Sequence, residues 1–180
     1  MTDETLVVTL NGLSKSHRVP GFRVGWMVLS GNRDDARDYI EGIDILTSMR
    51  LCANVPAQYA IQTSLGGYQS VRDLVAPEGR LHQQRDIVYE GINAIPGLSC
   101  VKPDGAMYAF VKIDTPRFNI TDDVQFALDM LKREKVLIVQ GSGFNWPEPD
   151  HFRIVFLPSP IQLKDTMGRI GHFMGHYIQE

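Results

Sequence analysis

The 180-residue sequence is 43% hydrophobic and 22% charged, with a formal net charge of −3, the profile of a folded chain rather than a disordered one. That charge offers no basic footprint for nucleic acid or an anionic membrane surface, and no apolar run approaches the roughly eighteen residues of a membrane span. Cys52 and Cys100 form no C-x-x-C pair, which argues against a disulfide framework or a cysteine zinc site.

In chain order, the first residues lack the positive segment of a secretory leader, so a cytoplasmic location is expected. Residues 6–10 form a β-prone run that Asn11-Gly12 ends, and residues 24–29 read as a second strand closed by Ser30-Gly31-Asn32. Residues 34–49 carry apolar side chains at helical spacing, including Ile40, Ile43, Leu46 and Met49. A second helix is expected over 55–65, with Pro56 in its first turn and Gly66-Gly67 at its end. A third covers 80–95 and stops at Pro96-Gly97. Residues 98–101 and 106–113 read as a strand pair around Pro103-Asp104-Gly105. Thr121 is expected to cap a helix running to about Glu134. Strands over 136–139 and 152–157 and an amphipathic helix over 162–178 complete the chain. The two leading strands have no sheet to join, which leads us to expect a missing upstream portion.

The densest chemistry lies in residues 11–26. Lys15 sits just past a strand end, and Arg23 follows eight residues later between Gly21 and Gly25. A neutral lysine amine can form an imine with a carbonyl. An arginine guanidinium suits a phosphate because its planar fork makes paired, charge-assisted hydrogen bonds. A surface lysine and arginine on a strand-loop-strand is the plainer alternative.

Gly12, Leu13, Ser14 and Lys15, followed by Gly21, Arg23, Val24 and Gly25, resemble the Schiff-base signature of class I and II aminotransferases. The resemblance implies an α/β fold: the C-terminal part of a pyridoxal-phosphate-dependent transferase fold. The end of the large-domain sheet would occupy residues 1–49 and a small α+β domain residues 50–180. Lys15 would be the Schiff-base lysine, Arg23 would hold the cofactor phosphate, and Ser14 would help at the cofactor. The chain departs from the pattern at Gly12, where many members carry a phosphate-contacting serine, and at Arg18, where a small residue is common.

In Phe152-Arg153-Ile154-Val155-Phe156-Leu157, strand alternation puts Arg153 on the face opposite Phe152, Ile154 and Phe156. A guanidinium there needs a partner. An ion pair with Asp150 is one reading; the resemblance implies the other, binding of the substrate α-carboxylate. Residues 51–58, 105–108 and 145–147 look like bacterial glutamate–pyruvate (alanine) aminotransferases in particular. The implied partners are an amino acid, a 2-oxo acid and pyridoxal 5'-phosphate, with a homodimer in the full-length family and neither nucleic acid nor membrane. An upstream half would supply the remaining cofactor contacts, so the chain alone is expected to have little activity. A non-catalytic domain, or a lyase or decarboxylase of the same fold, is the alternative.

Other features read as structural. Arg50 suits the C-terminal end of a helix, although some relatives place a distal-carboxylate arginine in this region. His172 and His176, four apart, are taken as a helix face, and no metal site is expected. Gly141-Ser-Gly-Phe144 is read as a turn rather than a nucleotide loop. The sequon at Asn119 is read as chance.

Overall fold

Residues 6–12 are rich in β-prone side chains and end in glycine, and a computed structural model, which describes residues 4–180, forms them into strand β1 (Leu6–Gly12). It pairs antiparallel with β2 (Gly25–Gly31), in a register running from Leu6 opposite Gly31 to Gly12 opposite Gly25. Each strand runs two residues further at its C-terminal end than hydropathy suggested, to Gly12 and Gly31, and β2 begins one residue later; glycine permits close backbone approach where the strands cross. A Cβ on Gly25 would stand 2.6 Å from the Asn11 carbonyl oxygen. Helix α1 (Leu13–Ser16) follows directly.

A 3-10 turn, Asp34–Ala36, leads into α2 (Arg37–Arg50). Helix α3 (Val55–Gly66) is capped by the Asn54 side chain, which accepts from the Ala57 amide. The Gly67 amide closes its end on the Thr63 carbonyl. Backbone contacts divide the chain into a unit up to Arg72 and a unit Asp73–Glu180. In the first, Leu13 and Ala57 are the hydrophobic side chains buried among the described residues. Leu10, Met49 and Tyr59 stay 73–76% exposed. A two-stranded ribbon with so little burial is marginal alone. Asn54 donates to the Phe22 carbonyl and Ser64 receives His17, so residues 50–72 pack with the leading segment.

After α4 (Val71–Val75) and α5 (Arg80–Asn93) come β3 (Leu98–Cys100) and β4 (Tyr108–Ile113). Then follow α6 (Thr115–Phe118), α7 (Asp123–Glu134), β5 (Val139–Gln140), β6 (His151–Val155) and α8 (Pro160–His176). The sheet order is β3-β4-β6-β5, antiparallel throughout. Alternation sorts its faces: Ala109, Val111, Ile113, Phe152 and Ile154 point into the core, while Tyr108, Phe110, Arg153 and Val155 share the other face. Helix α8 starts earlier than expected because Ser159 and Gln162 form a capping box. Asp122, rather than Thr121, caps α7, accepting from the amides of Val124 and Gln125; its carboxylate reaches two open amides at once.

Gly91 lets α5 and α8 meet, since a Cβ there would lie 2.5 Å from Met167 Cγ. The C-terminal tail is tied down by Gln179, 4% exposed, whose Oε1 accepts from the amides of Thr121 and Asp122. The sequon residue Asn119 has φ of 54° and donates its side-chain amide to the Gln179 carbonyl. Burial, with the Asp129 carboxylate beside it, pushes the Tyr177 hydroxyl up to about 12.

Phe126 is fully buried against Phe152, Phe173 and Tyr177. Phe126→Ala is expected to lower the unfolding free energy of this unit by about 3–5 kcal/mol. Val101→Ala, at an 88% exposed position, should change it by about 0.5 kcal/mol or less. Urea denaturation followed by circular dichroism checks both.

Candidate functional site

Two groups of cations emerge, one in each unit. In the first, the pairing of Gly12 with Gly25 brings the segments carrying Lys15 and Arg23 to the same end of the β1–β2 ribbon. Leu13, fully buried, pins α1 there, and its amide donates to the Val24 carbonyl. Lys15 is thereby held on an exposed turn, and its amine makes no hydrogen bond or ion pair among the described residues. Arg23 ends a 3-10 turn, Pro20–Phe22, with φ of 49°. One of its terminal nitrogens donates to the Pro20 carbonyl at 2.7 Å; the rest of the fork is free to donate.

The residues around these two hold the loop. Ser16 Oγ donates to the Gly12 carbonyl, and the His17 ring reaches the Ser64 carbonyl. Arg18, the departure from the family pattern, donates to Ser70 Oγ at 2.7 Å. It therefore ties the loop to the chain after α3. Ser14 is half-buried. At Gly12 a Cβ would lie 3.0 Å from the Val24 carbonyl oxygen, so the tight crossing itself favours glycine.

In the second unit, Arg153 lies on the non-core face of β6, opposite Phe110 of β4. The expected alternative, an ion pair with Asp150, does not form. Asp150 instead accepts from Trp146 Nε1 at 2.8 Å and meets His151 Nδ1 at 2.6 Å, with Lys112 at 3.9 Å. Burial raises the Asp150 carboxyl, but hydrogen bonds from His151 and Trp146 and the charges of His151 and Lys112 outweigh it and hold it below the usual carboxylate value. The Arg153 guanidinium has no ion pair among the described residues, and its buried Nε has no hydrogen-bond partner. Aromatic rings cover it instead: Tyr108 at 4.6 Å and Phe144 at 4.5 Å from guanidinium carbon to ring centre. Arg153 and Val155 also line a groove of about 750 Å³, ample for a small carboxylic acid.

The sequence reading missed Phe144, Tyr108 and the Asp150 network. A lone aromatic in a glycine turn carries no local signal for such a contact. Arg50 bonds to the Leu51 carbonyl at the end of α2, as its helix-end reading requires. His172 meets Glu134 at 2.9 Å; no cluster of three or more metal-binding side chains occurs among the described residues.

A family model described as "Aminotransferase class I and II" matches residues 1–170. The chain is 56% identical over 179 residues to the glutamate–pyruvate aminotransferase AlaA of Escherichia coli (strain K12), covering 99% of this chain and 44% of that protein. It is 53% identical to an alanine aminotransferase of Mycobacterium tuberculosis (strain H37Rv), covering 98% of this chain and 41% of the relative. A crystal structure of an Escherichia coli aminotransferase superimposes with a TM-score of 0.96 at 57% identity, over 99% of this chain and 44% of that one. The chain thus spans less than half the length of these relatives.

The lowered Asp150 value fixes a pH dependence. Its stabilising contribution is fully present above the ordinary carboxylate value of 3.8 and is lost as pH falls through the lower folded value. Urea denaturation at pH 7 and at about pH 3 should therefore show a larger acid loss in the wild type than in Asp150→Ala. Equal losses would contradict the network.

Proposed function

This chain belongs to the class I and II aminotransferase family, and from that premise we propose that it serves in pyridoxal-phosphate-dependent transfer of an amino group between an amino acid and a 2-oxo acid. Its similarity to glutamate–pyruvate and alanine aminotransferases favours alanine and glutamate as the amino acids. The observation that carries this reading is the pair of cations on the ribbon end, Lys15 and Arg23, neither spent on a carboxylate among the described residues.

The residues present fit the cofactor. The exposed, unpartnered amine of Lys15 is available to a carbonyl. The Arg23 fork keeps donors for a phosphate after its single bond to Pro20. Lys15, Arg23 and Ser14 are the residues that would hold it. When bound, pyridoxal phosphate supplies an electron sink for the pair left at the substrate Cα.

The chain's own residues do the rest of their share by binding and proton transfer. Lys15 Nζ, as the free amine, takes the Cα proton and later returns one, acting as base and then acid. Arg153 would fix the substrate carboxylate through parallel hydrogen bonds, for which its unpaired guanidinium is suited. On this reading residues 1–49 belong to a larger cofactor-binding domain and residues 50–180 to a small one. The exposed apolar side chains of the first unit support cover by further residues of a longer enzyme, which also complete the cofactor's contacts. Pairing of two copies and a cytoplasmic location belong to the same proposal; no helix of the described residues is long and apolar enough to cross a membrane.

Pyridoxal phosphate addition, borohydride reduction and peptide mass mapping test the proposal. A phosphopyridoxyl adduct is expected on Lys15 and on no other lysine, and none in Lys15→Ala. Arg23→Gln should raise the cofactor concentration needed by about ten- to hundredfold. Labelling scattered over the surface lysines would overturn the assignment.

A further inference from the structure

A partly buried arginine ordinarily needs a carboxylate or several carbonyl acceptors. Arg153 has neither among the described residues. Two ring faces stand in their place, Tyr108 on one strand and Phe144 on the 3-10 turn Gly141–Phe144. Ring faces stabilise a cation by their quadrupole and use none of its N–H donors. A carboxylate would stabilise it too, but would compete with an incoming anion for those donors.

Tyr108 is fixed by the sheet, while Phe144 sits on a loop that needs its own support. Two carboxylates provide it. Asp123, 5% exposed at the start of α7, accepts from both the amide and the hydroxyl of Ser142 at 2.8 Å. Asp150, immediately before β6, accepts from Trp146 Nε1 at 2.8 Å. Between these stakes the rings interlock. Trp146 stands edge-on to Phe110 at 5.5 Å, Phe110 stacks on His151 at 4.7 Å, and Phe144 meets Phe110 edge-on at 6.4 Å. Gly141 lets the loop lie against β6, because a Cβ there would be 2.8 Å from the His151 carbonyl oxygen. Both aspartates are engaged by the loop's own donors.

The geometry points to a positioning clamp: the loop 141–146, staked by Asp123 and Asp150, presses Phe144 onto Arg153, which Tyr108 also covers, and keeps the guanidinium's donors open for a carboxylate ligand. Phe144, Tyr108, Trp146 and the two aspartates act through Arg153 and are positioning residues. The ligand half of this inference rests on the carboxylate role of Arg153 proposed above; the clamp half does not.

The test is a ¹H–¹⁵N spectrum of the arginine Nε–H groups in the full 180-residue chain, with pyruvate as the probe. Ring currents from two faces place the Arg153 resonance upfield of the exposed arginines. Phe144→Leu removes one face, and Trp146→Phe keeps the ring but deletes the bond to Asp150. Both are expected to move the resonance back toward the exposed position and to weaken pyruvate binding about three- to tenfold. Should Phe144→Leu fail to fold, Trp146→Phe alone carries the test. A wild-type Arg153 resonance among the exposed arginines, or one that neither variant moves, overturns the clamp. A shifted resonance that both variants abolish but pyruvate leaves unmoved upholds the clamp and removes the carboxylate role. A resonance that pyruvate moves equally in all three proteins upholds the carboxylate role and removes the clamp.

Discussion

Arg153 carries a charge into a half-buried position and meets two ring faces, at 4.6 and 4.5 Å, instead of an acid. An unpartnered buried donor costs about 1–3 kcal/mol, and more when charged. The surrounding fold sustains that cost. Strand alternation sends Phe152 and Ile154 inward to a core they share with Phe126 and Met130. The same alternation leaves Arg153 no choice of face. The aspartates that brace the neighbouring loop are occupied, Asp123 by Ser142 and Asp150 by Trp146 and His151. An unneutralised guanidinium on a rigid strand is a binding group in waiting.

The ribbon end in the first unit obeys the same logic by other means. Backbone approach at Gly12 and Gly25 sets the turn, and Leu13 anchors it. His17 and Arg18 spend their polar groups on Ser64 and Ser70, which leaves the Lys15 amine and most of the Arg23 fork open at the ribbon end. The two units differ in how they are held. The second has a closed hydrophobic core and a tail locked by Gln179. The first buries little, and its support comes from hydrogen bonds between loop and helix.

Much of this was legible in the sequence. Periodicity located the long helices and most strands, although the strand expected over 136–139 forms only at Val139–Gln140; the spacing of Lys15, Gly21, Arg23 and Gly25 carried the family, which the comparisons bear out. The alternation around Arg153 gave its face. Where reading failed, the deciding partner lay far away in sequence or in a cap. Thr121 looked like the cap of α7, but Asp122 holds both amides. Helix α8 begins at Pro160 because Ser159 and Gln162 bond reciprocally. Asp150 was the obvious acid for Arg153 by proximity along the chain. Its carboxylate is instead taken up by Trp146 from the loop and by His151, the next residue. Glu134 meets His172 across 38 positions, and Phe144 meets Arg153 only through the fold of its loop.

The most direct measurement is Arg153→Leu, compared with wild type by thermal unfolding and by calorimetric titration with pyruvate. A guanidinium kept unpaired for a carboxylate predicts lost pyruvate binding with stability unchanged or raised, by up to about 1–3 kcal/mol. A variant that binds pyruvate like the wild type, or one destabilised by the roughly 3–5 kcal/mol of a broken buried ion pair, would contradict it.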